Sequence, residues 1–426
     1  MIEESTMNIP VLGATRFPSP LRRWVGESER VPATILRTVD APSEDRLLFE
    51  LAGARQHLFF NPPETRAGVV TCGGLCPGLN DVIRSLFLEM HHAYGVKDVL
   101  GFRWGYQGLD PEHGAEPLIL THEMVDRIHL QAGTILGTSR GPVDTARAVE
   151  NLIRRRVNVL FTIGGDGTQR GAQQLVMKAK RQGHALSVVG IPKTIDNDIP
   201  FVARSFGFLT AVEEATKVLQ RAHTEARSVQ NGIALVKLMG RHAGFLTAEA
   251  TLASQEVNFT LIPEVPFRLE GQGGFLAALE QRILRREHAV IAVAEGAGQE
   301  LMGNTGKERD PSGNVRLRDI GLFLRERIEE WFNERNIPFV MRYFDPSYIV
   351  RSSPDNAEDT VLCDQFARHA AHAAMAGKTG LVIGYLHDRF IHVPIELLAT
   401  QQKRLDPDSS AWSAVLSATG QPYRFE

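Results

Sequence analysis

The 426-residue sequence carries 47 basic and 50 acidic side chains for a net charge of -3, so no global field favours nucleic acid or an anionic membrane surface. A hydrophobic content of 43% and a charged content of 23% are those of a soluble globular protein, long enough for about two to three domains. Three cysteines, Cys72, Cys76 and Cys363, are too few and too odd in number for a disulfide framework and point to a reducing compartment.

Residues 1–65 hold scattered prolines and charges with little periodicity and read as an extension that packs on a core rather than forming one. The core is expected to begin at Ala67, with a strand over 67–71, a glycine-rich turn over 72–78, and then Val82, Ile83, Leu86, Phe87 and Met90 at helical spacing. Strand, loop and helix in that order suit an anion, because helix N-terminal N–H groups face it and glycine admits it close to the backbone. A plain connection reads the same way, and the strict glycine spacing of a dinucleotide fold is absent. Cys72 and Cys76 have no second ligand pair nearby in sequence, so structural thiols are the reading ahead of a metal pair.

Gly137 to Gly141 form a second glycine-bounded polar loop, in which Arg140 either clamps a phosphate or is solvated. Two short runs rich in β-branched residues follow, 157–163 and 186–191, and read as buried parallel strands. Each runs into a polar turn: Gly164, Gly165, Asp166, Gly167, Thr168 after the first, and Pro192, Lys193, Thr194, Ile195, Asp196, Asn197, Asp198 after the second. The carboxyl edge of an open α/β sheet is where ligands bind. A helix over 211–222 precedes a strand at 233–238 that ends in Met239, Gly240 and Arg241, and a strand at 288–294 delivers Glu295 to a glycine turn. An amphipathic helix at 320–332, a strand at 338–343, a helix at about 358–376 and a strand at 379–385 complete an α/β alternation, which implies mainly parallel sheets in two lobes. Gly377, Lys378 and Thr379 look like the end of a P-loop, but His372 stands where its first glycine is required, so they read as a helix stop.

Phosphoryl transfer asks a protein to position its reactants, neutralise phosphate charge with a metal ion and take the acceptor proton on a carboxylate. Asp166, flanked by glycines, is the natural Mg²⁺ ligand, directly or through water. Asp196 suits the acceptor proton, and Asp198 can orient the hydroxyl or hold metal. Asp and Asn in such turns also simply cap backbone N–H groups; two carboxylate-bearing turns at one edge favour chemistry.

These two turns, the loop from Cys72 to Asn80, and Met239-Gly240-Arg241 together resemble the phosphofructokinase family, over residues 67 to about 385. The extension resembles that of plant and kinetoplastid ATP-dependent members. The resemblance implies two Rossmann-like lobes with the active site in the cleft between them: a phosphoryl-donor lobe at 66–206 that the chain rejoins at about 358–395, a fructose 6-phosphate lobe at 207–357, and a C-terminal segment at 396–426. It implies transfer of the γ-phosphoryl of Mg-ATP to the 1-hydroxyl of fructose 6-phosphate. On the matching positions it places nucleotide phosphate and Mg²⁺ at Gly73, Gly74, Arg140, Gly165, Asp166, Gly167 and Thr168, and the base at Asp196 with Thr194 and Asp198 beside it. Lys193 falls at the transferred phosphoryl, and Met239, Gly240, Arg241, Glu295, Tyr348 and Arg351 match the sugar-phosphate side. Arg342 matches a basic residue that reaches a neighbouring subunit's substrate, which implies a homo-oligomer, dimer or tetramer.

Two positions depart from familiar members. Bacterial members carry an arginine seven residues before the Met-Gly-Arg methionine, where this chain has Gly232. Lys193 is shared with pyrophosphate-dependent members, yet those have aspartate where this chain has Gly167, and a carboxylate there repels a nucleotide triphosphate. Glycine with lysine is the combination of plant and kinetoplastid ATP users, so ATP is the expected donor and pyrophosphate the alternative. An NAD or lipid kinase shares the Gly-Gly-Asp-Gly turn but leaves the Asp196 turn and Met239 motif unexplained. A silent regulatory subunit is disfavoured by intact Asp166, Asp196 and Asp198. No apolar run approaches the ~18 residues that span a bilayer. The acidic opening Met1-Ile2-Glu3-Glu4 lacks a signal core, and Tyr423 to Glu426 is no peroxisomal address, so a cytoplasmic location is expected.

Overall fold

The structure, a computed structural model, describes residues 5–36, 47–141, 143–303, 308–309, 315–398 and 400–426. The chain divides into two compact units: Met1–Thr194, Ile199–Gly207 and Ser353–Gln402 in the first, and Ile195–Asp198, Phe208–Ser352 and Lys403–Glu426 in the second. Among the described residues no helix is long and apolar enough to cross a membrane.

The first unit is built on a mixed sheet whose centre is four parallel strands in the order Ser187–Pro192, Val159–Gly164, Arg66–Thr71, Asp98–Phe102. Every residue of the Val159–Gly164 and Ser187–Pro192 strands is buried, as expected of strands covered on both faces. The helix Asp166–Arg181 packs on both of them, and Ala357–Met375 packs on Leu79–Leu88 and on Ser187–Pro192. From Arg66–Thr71 the chain moves outward to Asp98–Phe102 and then returns to the opposite side, so the strand order reverses between Arg66–Thr71 and Val159–Gly164. Such a reversal opens a crevice at the carboxyl ends of the strands. Register sharpens this, because Pro192 pairs with Gly164 and Thr71 with Ile163, so three strands end level and their loops emerge side by side.

The far edge of the same sheet is antiparallel: Arg389–Pro394 returns beside Leu381–Leu386 and pairs in turn with Leu47–Leu51 of the extension. The Leu381–Leu386 strand starts at Leu381 instead of 379, because Gly380 at φ +70° and the Thr379 hydroxyl, bonded to the Leu186 carbonyl, shape the connection. Lys378 is buried and its Nζ lies 2.7 Å from Glu50, which also accepts from Arg55 at 2.6 Å and His392 at 3.2 Å. The P-loop-like triplet therefore serves an ionic cluster between extension and sheet. Burial alone would raise the Glu50 carboxyl, but His392 and Lys378 outweigh it and hold it well below the usual range.

The second unit is an all-parallel sheet in the order Phe259–Leu261, His288–Ala294, Gly232–Leu238, Val340–Phe344. Phe275, Leu279, Leu324, Ile328 and Phe332, from the helices Phe275–Arg286 and Ile320–Glu334, are fully buried against Leu235, Ile291 and Val293. At about 1.5–3 kcal/mol for each such side chain, packing rather than propensity holds these helices. Leu238 pairs with Ala294, so Met239 and Glu295 leave the sheet at one level.

Candidate active site

In the first unit the glycine turn after Val159–Gly164 becomes a helix at once. Gly165 is the N-cap and Asp166 opens the helix, so this polar stretch is a helix N-terminus rather than a free turn, with unpaired N–H groups suited to phosphate. Gly164 is required because a Cβ there would lie 2.2 Å from the Thr168 hydroxyl. At Gly167 the nearest atom to a Cβ is the Arg170 Nη2 at 3.8 Å, so only chemistry bars a side chain. Asp166 is 58% exposed and ion-paired with Arg170 one turn on. A single exposed carboxylate beside open glycines fits Mg²⁺, which binds through one or two carboxylates and otherwise keeps water and phosphate oxygens.

Around it the loops are stitched together. Gly73, at φ +85°, donates its N–H to Ser139 at 3.0 Å and accepts from the Thr138 hydroxyl at 2.6 Å. Lys193 is buried, its N–H bonded to the Gly164 carbonyl at 3.2 Å and its Nζ to the Gly74 carbonyl at 2.7 Å. Thr194 accepts from the Ser205 hydroxyl at 2.7 Å, and Arg140 stands exposed on its loop. Gly73, Gly74, Gly165, Lys193 and the start of the Asp166 helix thus gather on one sheet edge. Cys72, Cys76 and Cys363 are buried free thiols, and burial pushes Cys72 up to about 12.

In the second unit the short segment Ile195–Asp198 meets the Met239 loop. Burial, then the charges of Asp198 and Glu295, raise the Asp196 carboxyl far above the ordinary range, against a hydrogen bond from the Arg241 N–H and its guanidinium charge. Gly240, at φ +128°, has no room for a Cβ, which would sit 2.7 Å from the Ala243 carbonyl. Its own carbonyl accepts from the Gly296 N–H at 3.1 Å, and Glu295 N–H bonds the Leu238 carbonyl at 2.9 Å. Burial raises Glu295 too, opposed by Arg241, Lys237 and Arg351. The Arg351 guanidinium lies 4.7 Å from the ring centre of Tyr348, itself 75% exposed. Asp196, Asp198, Arg241, Glu295 and Arg351 therefore share one electrostatic neighbourhood. Arg342 does not join it: it pairs in register with Ala234, back from the strand ends, and its Nε is 3.7 Å from Glu225. Gly232 is steric in origin, since a Cβ there would fall 1.9 Å from the Ala226 carbonyl oxygen.

A helix N-terminus among glycines and a carboxylate raised by burial among cations are the kinds of group that phosphoryl transfer to an alcohol uses. The family model described as Phosphofructokinase matches residues 66–374. The chain belongs to the phosphofructokinase family. It is 45% identical over 406 residues to an ATP-dependent 6-phosphofructokinase of Borreliella burgdorferi, covering 94% of this chain and 91% of that one. Likeness to ATP-dependent 6-phosphofructokinase 1 of Arabidopsis thaliana is 43% over 420 residues, 95% of this chain and 88% of that one. For the Trypanosoma cruzi enzyme it is 47% over 376 residues, 88% and 77%. The crystal structure of a pyrophosphate-dependent phosphofructokinase from Marinobacter aquaeolei superposes with a TM-score of 0.68 over 83% of this chain and 91% of that one; at 20% identity this shows the shared phosphofructokinase fold.

Two lysines of this chain stand near the site groups outside the motifs. Lys237 interrupts an otherwise apolar buried strand, a signal present in the sequence. Lys403, at the start of the C-terminal segment of the second unit, has its Nζ 5.0 Å from the Phe245 ring centre and is lowered to about 8 by burial, against Asp198 and Glu249. Nothing in its local sequence marks it.

Proposed function

We propose that this chain is an ATP-dependent 6-phosphofructokinase, moving the γ-phosphoryl of Mg-ATP to the 1-hydroxyl of fructose 6-phosphate to give fructose 1,6-bisphosphate and ADP. The observation that carries the reading is likeness over about nine-tenths of the chain to relatives each named ATP-dependent. Gly167 supports the donor choice, because it brings no carboxylate and leaves the space beside it open, with the Arg170 Nη2 3.8 Å from where a Cβ would stand.

In this reading Gly73, Gly74 and Gly165 to Thr168 line the nucleotide phosphates, with the first N–H groups of the Asp166 helix facing them, Arg140 reaches them from its loop, and Asp166 would hold Mg²⁺. When bound, the metal neutralises phosphate oxygens. Lys193, fixed on the Gly74 carbonyl, offers its charge to the transferred phosphoryl. Asp196 takes the proton as the sugar oxygen attacks phosphorus. Its raised affinity for protons suits that task, since a base works best with a pKa near the operating pH. Thr194 and Asp198 orient the acceptor. Arg241 and Arg351 take the 6-phosphate through charge-assisted bonds, and Glu295, Met239, Gly240 and Tyr348 line the sugar. Arg342, half exposed on its strand, contributes across a homo-oligomer contact. A coupled assay on the purified chain, comparing ATP with pyrophosphate, tests the reading. Turnover with ATP alone is expected; turnover with pyrophosphate alone overturns the donor.

A further inference from the structure

The side chain of Lys237 is only 11% exposed, and an ammonium in such a place costs several kcal/mol unless it is paired. It is paired twice: Nζ lies 2.7 Å from Asp319 and 2.9 Å from Asp345. Asp319 is the N-cap of the Ile320–Glu334 helix, accepting from the Leu322 N–H at 3.1 Å and the Tyr343 hydroxyl at 3.3 Å. Asp345 accepts from both the N–H and the hydroxyl of Ser347. One ammonium thus ties the central strand, the start of a helix and the loop that carries Tyr348 and Arg351. Register explains the reach: Val236 pairs with Phe344, which sets Lys237 level with Asp345. The strand order of this sheet reverses there, with Val340–Phe344 on one side of Gly232–Leu238 and the other strands opposite.

We propose that Lys237 is a positioning residue for the sugar-phosphate site, which sets the 345–351 loop so that Tyr348 lines the sugar and Arg351 meets the 6-phosphate, and which neutralises the carboxylates around it. The proposal rests on the function proposed above. Stability is not what the triad secures, because loss of the lysine alone strands no fully buried charge, the case in which removing one partner is costly. Asp319 and Asp345 are 35% and 39% exposed, so both stay hydrated without the lysine. What disappears with Lys237 is the tether, together with a positive charge that acts on Glu295 beside Arg241 and Arg351. Two carboxylates then repel a dianionic phosphate.

The test compares the full-length wild type with Lys237→Met and Lys237→Arg. Initial rates give both KM values, calorimetry gives the Kd for fructose 6-phosphate, and thermal melting gives stability. Lys237→Met is expected to raise KM and Kd for fructose 6-phosphate about tenfold, or ~1.4 kcal/mol, with KM for ATP within about twofold and Tm nearly unchanged. Lys237→Arg restores most of the affinity. An unchanged Kd in folded Lys237→Met, or equal rises in both KM values, overturns the proposal. Where Lys237→Met does not fold, Asp345→Asn, which keeps the Asp319 pair, is read by the same criteria. A wild type that binds fructose 6-phosphate without turnover defeats the proposed function alone, because Kd still reads the tether; a wild type that does not bind it defeats both.

Discussion

Gly167→Asp isolates the electrostatic argument for ATP. The substitution introduces no clash, since the nearest atom to the new Cβ is the Arg170 Nη2 at 3.8 Å, and the φ of Gly167 is not positive. It should also not destabilise the fold: aspartate in a first helical turn gains ~0.3–1 kcal/mol from the helix dipole and loses the helix penalty of glycine. Against a bound triphosphate the sign reverses. One added charge at about 6 Å from one phosphate charge, in an effective dielectric of about 20, costs ~3 kcal/mol; Arg170 and solvent reduce this to ~1–2 kcal/mol. KM for ATP is expected to rise about 5- to 30-fold, while KM for fructose 6-phosphate moves less than about twofold. Initial-rate kinetics with each substrate varied in turn read the effect, with Gly167→Asn as the neutral control of the same shape. A rise in both KM values alike, an equal effect of Gly167→Asn, or a fall in Tm refutes the reasoning.

Three further outcomes are expected. Asp196→Asn should lower kcat by about 10²–10⁴ while calorimetry still detects nucleotide binding; an unchanged kcat removes Asp196 as the base. Glu295→Gln removes one of the charges that raise Asp196, so the base loses its proton more readily and the acid limb of kcat, at saturating sugar phosphate, moves down by about one pH unit; a limb that stays or moves up excludes the coupling. Glu50→Gln breaks the buried cluster with Lys378, Arg55 and His392 and should cost ~3–5 kcal/mol at neutral pH. Because the folded-state pKa of Glu50 is depressed, that advantage is complete above the unfolded value of about 4.3 and fades as pH falls below it, so wild-type and variant melting curves should converge in acid; a constant gap contradicts this.

The sheet edges were legible because their signals are local. Runs of β-branched residues over 157–163 and 186–191 pass into polar turns, and the strands observed are Val159–Gly164 and Ser187–Pro192. The helix start at Asp166 was obscured by Gly165 and Gly167, whose presence reads as a turn when only propensity is weighed. Hidden altogether were partnerships made across the chain. Lys237 finds its carboxylates at 319 and 345, Glu50 finds Lys378 and His392, and Leu405 donates to Glu264, which also holds the Gly244 N–H. A lysine within an apolar strand announces that some partner exists, but only the register of Val340–Phe344 says which one. Arg342 shows the converse: the resemblance assigns it to a neighbouring subunit's substrate, and its register sets it back from the strand ends of its own sheet, so its partner cannot be read within one chain.

The contact at Gly232 limits what can be engineered into this site. With the Ala226 carbonyl oxygen 1.9 Å from where a Cβ would stand, an arginine at 232 does not fit the present backbone. Any side chain there would require the link between the Phe208–Arg227 helix and the Gly232–Leu238 strand to be rebuilt. Transplanting that arginine therefore means exchanging the whole helix-to-strand connection, residues 226–232, as one block.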